Sequence, residues 1–495
     1  DFFTLLKDYD CKKKTQFECT HFGLYLFPRI KEKYVLSGIA ADGWYGVSKK
    51  ARINFIHTKE KFDEFNAKAE KIDLQSRIKD LINLNVVNSS ENQSALHTQY
   101  RQMHKLDNKN ELPDNFMISA KNYNFSDTFY KNIEKEILKE PNVKINIVSI
   151  GIGGSYEGPK LMFQSNEDSV YLSSKYHTRN RKLNFEFLTG PNSKEFEIKV
   201  DHLDPKKTFF IIFSKSFKSI ETIQMLKMAL SWSNCNTNNI LAITSNVEEP
   251  KKYGISHIHT FDKEIGGRYS IWLEDIESLY GGRWTSDGRF LNHGGSVADK
   301  RLLSDKKYLD FVKYLSFSDI WMNNFNNKHI RVVLSYIWNL RSFPDYVQQL
   351  EMESLGKPPN KSSEFKKTGQ VIFGGYGPIA EHSYFQLLHQ GTQELCADII
   401  ACNQDKNHLE YIKAITQSKL LSEGAEHLSE NEKVNGNVPV NMFFLKSIDS
   451  PMFEKSLGYL IATWEHRTFL TATMLGINPF DQFGVIAGKK YSLSR

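Results

Sequence analysis

The sequence predicts an α/β protein of two or more domains, built on parallel sheets flanked by helices. Three observations carry this. At 495 residues the chain exceeds what one hydrophobic core supports. From about residue 120 it alternates helix, strand, Gly- or Ser-bearing turn and helix, the rhythm of a doubly wound sheet. From about residue 309 a second alternation of buried strands and helices follows.

Composition bounds the function. Hydrophobic residues make up 40% and aromatic residues 13%, enough for sizeable cores, and charged residues at 25% are ordinary. The net charge of +6 is spread along the chain, unlike the clustered basic face of a nucleic-acid binder. It suits a small anionic substrate, and a plain Lys-rich surface equally. The five cysteines (Cys11, Cys19, Cys235, Cys396, Cys402) are odd in number and form no CxxC or metal spacing, which points to free thiols in a reducing compartment. Apolar runs such as 209–213 are strand-length, so no membrane partner is expected. The N-terminus lacks a charged-then-apolar leader, and the expectation is a cytoplasmic protein. The chain begins at Asp1 rather than Met, so trimmed ends are expected.

Residues 1–118 read as an N-terminal helical segment, with apolar positions at helical spacing through 63–83. Only ENQSALHTQYR, ending at Arg101, stands out there, and its His97 suits a structural role.

The first domain is expected over 119–270. KNIEKEILKE is an amphipathic helix ending at Pro141, and VKINIVSI is a buried strand running into GIGGSYEGPKL. Gly151, Gly153 and Gly154 permit a tight turn and close approach to a ligand, and Ser155 sits where a helix begins, with amides free to face an anion. The third glycine of a dinucleotide fingerprint would fall at Tyr156, and no Gly-Lys-Ser/Thr closes the turn, so nucleotide binding is disfavoured. NFEFLTG and KTFFIIF are further strands. The second runs into SKSFKSIET, where Ser214, Ser216 and Ser219 offer hydroxyls and Lys215 a cation before the helix TIQMLKMALSW. Serines, amides and a lysine at a strand-to-helix junction make a phosphate cradle, although a helix N-cap needs only one such serine. ILAITSN completes the unit. In IGGRYSI two glycines precede Arg268 and let its guanidinium approach a ligand, where it would suit a developing oxyanion; a surface arginine after a turn is the plain alternative.

Residues 271–308 read as an insertion or irregular loop, rich in Gly, Asp and Ser. The second domain, with a C-terminal helical region, is expected over 309–495. YLDFVKYLSFSDIWMNNF and IRVVLSYIWNL are helical or buried, QVIFGG and VPVNMFFLKSI are strands, and 452–477 is helical.

Within that domain, VQQLEMESLGK sets Glu353 among apolar neighbours just before Gly356 and a Pro-Pro break, a candidate base with a raised pKa. His382 opens a new amphipathic segment after a Gly-rich turn and is a candidate acid or base. On spacing alone, a solvated glutamate and a merely polar histidine fit as well. The Asn478-Pro479 turn leads to Gln482, with Lys489 one to two turns on. His382 and His389 stand seven apart with no carboxylate cluster, so no metal site is expected.

These motifs together resemble the glucose-6-phosphate isomerase family: GIGGS, SKSF-x-S-x-ET, GGRYS, QQLEMES-x-GK, EHSYFQLLHQG and NPFDQFGV-x-x-GK occur in the family's order over most of the chain. The resemblance implies two sugar-isomerase-type domains, each a three-layer αβα sandwich with a parallel sheet, in a homodimer with sites near the subunit boundary. It implies interconversion of glucose 6-phosphate and fructose 6-phosphate without a cofactor. By the same resemblance Glu353 moves the proton between C2 and C1, and Arg268 stabilises the cis-enediol(ate). His382, from the partner subunit, and Lys489 assist ring opening. Gly154, Ser155 and Tyr156 with Ser214, Lys215, Ser216, Phe217, Lys218 and Ser219 hold the phosphate, and Gln349 and Gln482 line the sugar.

The chain departs from the family at several points. Glu381 stands where Gln is usual, and a carboxylate there would raise the pKa of His382. Gln93 replaces an Arg and Ile486 a Glu, while the stretch between Trp338 and Pro344 and the C-terminal arm are short. Two other readings follow from the same fold. A non-catalytic sugar-phosphate regulator would keep the Ser-rich loops but lose Glu353, Arg268, His382 and Lys489, all of which are present. A second, extracellular signalling role is known within the family.

Overall fold

The computed structural model describes residues 16–19, 22–25, 42–46, 61–102, 128–139, 144–166, 183–273, 276, 290–425, 428–449 and 452–493. The chain divides into two compact units, one formed by Asp1–Thr98 with Phe290–Arg495 and the other by Gln99–Arg289.

Where a helical N-terminal segment was expected, three short strands occur: β1 (Gln16–Cys19) and β2 (Phe22–Tyr25) pair antiparallel, and β3 (Asp42–Gly46) joins a larger sheet. The aromatic residues at these positions, Phe17, Phe22, Tyr25, Trp44 and Tyr45, favour pleated backbone over helix. The expected helix at 63–83 is divided, one helix over 61–71 and α1 over Leu74–Ile82. The divider is Asp73, which adopts φ 50 and whose carboxylate accepts the Ser76 amide to start α1. The remaining parts of 1–60 and 103–118 lie outside the described residues, Cys11 among them.

The Gln99–Arg289 unit starts with α2 (Thr128–Lys139) and alternates thereafter. Its strands are β4 (Ile145–Ile150), β5 (Leu183–Leu188), β6 (Thr208–Phe213), β7 (Ile240–Thr244) and β8 (His257–Thr260). Its helices α3 (Gly154–Ser165), α4 (Ser193–Val200) and α5 (Ile220–Trp232) connect the strands. The strand order is β5-β4-β6-β7-β8, all parallel. INIVSI and TFFIIF are buried at every position, as central strands covered on both faces must be.

The other unit repeats this plan. Helices α6 (Phe290–Ser304) and α7 (Lys306–Asn324) precede β9 (Ile330–Ser335), followed by α8 (Phe343–Leu355), β10 (Val371–Tyr376), β11 (Leu395–Cys402), α9 (Leu409–Glu423), β12 (Val440–Leu445) and α10 (Met452–Leu475). The order β10-β9-β11-β12 is parallel, and β3 closes the edge antiparallel to β12. A final helix, α11, spans Phe483–Leu493.

The irregular loop expected over 271–308 is therefore half helix. Residues 290–304 form α6, whose Gly294 lies so close to Lys455 of α10 that a Cβ would stand 1.9 Å from its carbonyl oxygen. Glycines that read as loop punctuation here permit helix-to-helix contact; 277–289 lie outside the described residues. IRVVLS, expected helical or buried, is a central strand. Among the described residues no helix is long and apolar enough to cross a membrane.

Candidate active site

In each unit the chain runs from the first parallel strand (β4 or β9) to one side of it, then crosses back to the other side. This leaves a crevice at the carboxyl ends of β4 and β6, where open parallel sheets bind ligands. The two Gly- and Ser-rich turns leave those two strands.

After β4, Gly151 donates its N–H to the Leu188 carbonyl at 3.2 Å, and Gly153 turns the chain at φ 58 into α3. No side chain caps α3; the Ser155 and Tyr156 amides donate to the Ile152 and Gly153 carbonyls at 3.3 and 2.8 Å, and the Gly154 amide at the helix start is the donor that suits an anion. Gly154 is buried because the backbone of Gly267 and Arg268 lies against it; a Cβ would stand 2.0 Å from the Gly267 carbonyl oxygen. Ser270 bridges the two segments, its Oγ donating to the carbonyls of Gly267 (2.8 Å) and Gly154 (3.3 Å). Arg268, almost wholly buried, is thereby fixed beside the start of α3, with its guanidinium 5.5 Å from the Tyr269 ring centre. Ser155 is half-buried on the first turn. Tyr156 is occupied otherwise: its N–H bonds to Gly153 at 2.8 Å and its ring meets Phe187 edge-on at 5.6 Å.

After β6, the Lys215 carbonyl receives the Ser245 amide, the Ser245 hydroxyl and the Thr244 hydroxyl at 3.0, 2.8 and 2.9 Å, tying the loop to the end of β7. Phe217 takes φ 54, rare for an aromatic residue, and is held there by burial of its ring in the core of the unit. That anchor turns Ser216 and Lys218 outward. The Ser216 Oγ accepts the Lys218 amide at 3.3 Å, and the Lys218 ammonium is 3.4 Å from Glu249. Ser214 is buried at the strand end. Ser219 occupies the N-cap position of α5, yet its side chain makes no capping hydrogen bond. The hydroxyl is thus not committed to the cap role that would have explained it without a ligand.

In the other unit, Glu353 lies on the last turn of α8, half-buried, and the Gln349 amide donates to its Oε2 at 3.2 Å from one turn earlier. Gly356 ends the helix and Lys357 follows. His382 is exposed, in a turn between Gly377–Ala380 and Phe385–Gln390. Glu381, beside it, turns inward: its carboxylate accepts the Tyr336 hydroxyl at 3.0 Å and pairs with Lys413 at 2.8 Å. The carboxylate expected to act on His382 therefore has other partners. Gln482 stands just before α11, its carbonyl accepting the amides of Val485 and Ile486 at 3.1 and 3.2 Å. Lys489 lies on α11, and its side chain falls outside the described residues.

Two groups escaped the sequence reading. One is a buried ionic cluster behind α8: Arg331 pairs with Asp319 and Glu351, Arg467 pairs with Asp319 (2.6 Å) and Asp398 (2.8 Å), and Trp464 donates to Glu351 at 2.7 Å. Its members are scattered over five elements, so no local pattern reveals it. The other is the pairing of Lys357 with Asp481 at 2.8 Å. Both residues of this pair lie within the motifs quoted above, and motif membership was the only available signal.

Among known proteins, residues 52–494 match the phosphoglucose isomerase family. A glucose-6-phosphate isomerase of Shewanella amazonensis is 31% identical over 466 residues, covering 85% of this chain and 82% of that one. One from Legionella pneumophila strain Paris is 32% identical over 436 residues, covering 85% and 83%. A solved glucose-6-phosphate isomerase from Chlamydia trachomatis shares the fold with a TM-score of 0.69 at 21% identity, over 88% of this chain and 85% of that one. With a match over most of the chain and relatives above 30% identity aligned over most of their length, the chain belongs to the phosphoglucose isomerase family.

Proposed function

We propose that this protein interconverts glucose 6-phosphate and fructose 6-phosphate through a cis-enediol(ate), the activity named for its relatives. The observation that carries the reading is the Glu353–Gln349 contact: a half-buried carboxylate at a helix end, oriented by an amide one turn away. One base on one face of the sugar suffices for aldose–ketose isomerisation, because the proton it removes from C2 is returned to C1. Glu353 takes that role. Arg268 faces the negative charge that develops on the enediolate oxygen; its backbone, pinned against Gly154, supports a preorganised cation. The phosphate is held at Ser155, Ser214, Ser216 and Ser219 with the Gly154 amide at the start of α3 and the first amides of α5. Binding energy remote from C1 and C2 then orients the reacting carbons.

His382 and Lys489 assist opening of the sugar ring, and Gln482 joins Gln349 along the sugar. The protein acts as a homodimer, with His382 reaching the partner's site; its exposure, and that of the neighbouring Ile379 at 63%, support this. The reaction places the enzyme in glycolysis and gluconeogenesis in the cytoplasm.

The test is a coupled assay for glucose 6-phosphate formed from fructose 6-phosphate, with chelator present. Turnover is the expected result. Absence of turnover, with fructose 6-phosphate still raising the heat-unfolding midpoint, would replace the enzyme reading by a binding role.

A further inference from the structure

The turn before α11 is gripped from two sides. Lys357, two residues past the end of α8, donates to Asp481 Oδ1 at 2.8 Å and to the Asp481 carbonyl oxygen. Ser90 Oγ donates to the other carboxylate oxygen at 2.8 Å. The ion pair is sheltered, its side chains only 13% and 10% exposed. Around it, Asn478 donates to Asn88 and Ser90 at 2.8 Å each, and Asn360 donates to the Gly476 carbonyl at 3.0 Å. Lys357 is itself fixed, its carbonyl accepting the Thr368 hydroxyl at 2.7 Å. An exposed pair would contribute little, but one withdrawn from water and satisfied on both carboxylate oxygens holds its geometry firmly.

The residue after Asp481 is Gln482, whose carbonyl starts the helix that carries Lys489. On the other side, Lys357 is four residues past Glu353. We propose that Lys357 is a positioning residue for isomerisation: through Asp481 it holds Gln482 and the helix of Lys489 in place relative to Glu353. This rests on the isomerase reading above. Lys357 itself transfers no proton. Its loss lets the sugar-lining segment drift, and return of the proton to C1 slows while water gains time to exchange with it.

The experiment uses the full-length enzyme and fructose 6-phosphate, with Lys357→Met, Lys357→Arg and Asp481→Asn. Beside kcat and KM it measures, with glucose 6-phosphate tritiated at C2, how the label divides between C1 of the product and water. That ratio is read per turnover and does not depend on how much of the sample is folded. Lys357→Met is expected to lower kcat about 100-fold, the scale of a 1 Å misplacement. KM moves less than about threefold, since the phosphate contacts are untouched. More label goes to water, and Lys357→Arg restores most of the parent's partition. Asp481→Asn, which keeps the Ser90 contact and the side-chain shape, is expected to shift the ratio the same way and serves if Lys357→Met does not fold. An active parent whose variants keep its partition ratio would overturn the positioning role alone. A parent without turnover would overturn the isomerase reading and this inference with it.

Discussion

Glu351 and Glu353 stand two residues apart on α8 and are held in opposite ways. Glu351 is 3% exposed and anchored by Arg331 and the Trp464 indole N–H, whereas Glu353 is half-buried and accepts the amide of Gln349 from one turn earlier. Side chains two apart on a helix point to different faces. The inner carboxylate thus sets the rotation of α8, and that rotation aims the outer one.

The first prediction concerns that anchor. Arg331 is fully buried and contacts Asp319, Glu351 and Asp398. Arg331→Met would leave Asp319 and Asp398 to Arg467, and Glu351 to the Trp464 indole N–H with its ion-pair partner gone. Breaking such a cluster costs about 3–5 kcal/mol, read as a fall in the urea midpoint. A fall below about 1 kcal/mol, the range of exposed pairs, would show that water reaches the cluster.

Glu195 offers a pH test. Its carboxylate accepts the amides of Thr189 (3.2 Å) and Gly190 (3.1 Å) and pairs with Lys199 at 2.9 Å. Burial, the largest single influence, pushes its pKa up, but the Lys199 bond and the two amides together hold it below the ordinary 4.5. The folded state therefore binds this proton less readily than the unfolded one. The stability it supplies is present above pH 4.5 and is lost as pH falls through the lowered value. Glu195→Gln should lower the midpoint at pH 7 and flatten its decline below pH 4.5; an unchanged acid limb would count against the contact.

The phosphate loop and the base separate kinetically. Ser216 Oγ is at the exposed tip of the loop anchored by Phe217, so Ser216→Ala should raise KM more than it lowers kcat. Glu353→Gln removes the base and leaves the loop intact. Turnover should fall by at least about 10²–10⁴-fold, the share of general base catalysis, while fructose 6-phosphate still protects against heat. Near-normal turnover in Glu353→Gln would mean that another group moves the proton.

Much of this was legible in the chain. The turns after β4 and β6 were found because glycine and serine at a strand-to-helix junction are local signals with a physical cause. Central strands were harder. IRVVLS and LCADIIAC are buried on both faces, so they show no alternation and look like any buried run. The glycines of α6 misled for the opposite reason, since helix contact and loop flexibility select the same residue. Glu381 was singled out as an unusual carboxylate, but its partners, Tyr336 and Lys413, lie 45 and 32 residues away in sequence. Side-chain direction depends on such distant partners, and no local pattern contains them.

The last prediction isolates the seat of Arg268. Gly154 and Gly158 lie one turn apart on α3, and both face the Gly267–Trp272 turn, but not equally. A methyl group at 154 would stand 2.0 Å from the Gly267 carbonyl oxygen and 2.7 Å from the Arg268 nitrogen, so that backbone has to move. At 158 it would meet the Ile271 Cβ at 3.3 Å, a contact that a small side-chain shift relieves. Overpacking costs about 1–3 kcal/mol, and at Gly158 the helix preference of alanine, about 1 kcal/mol, offsets part of it. Gly158→Ala should therefore keep near-parent stability and turnover. Gly154→Ala should lose about 100-fold in kcat/KM through displacement of the guanidinium. The comparison separates position from stability: equal losses in the two variants would mean that α3 packing, and not the seat of Arg268, governs the rate.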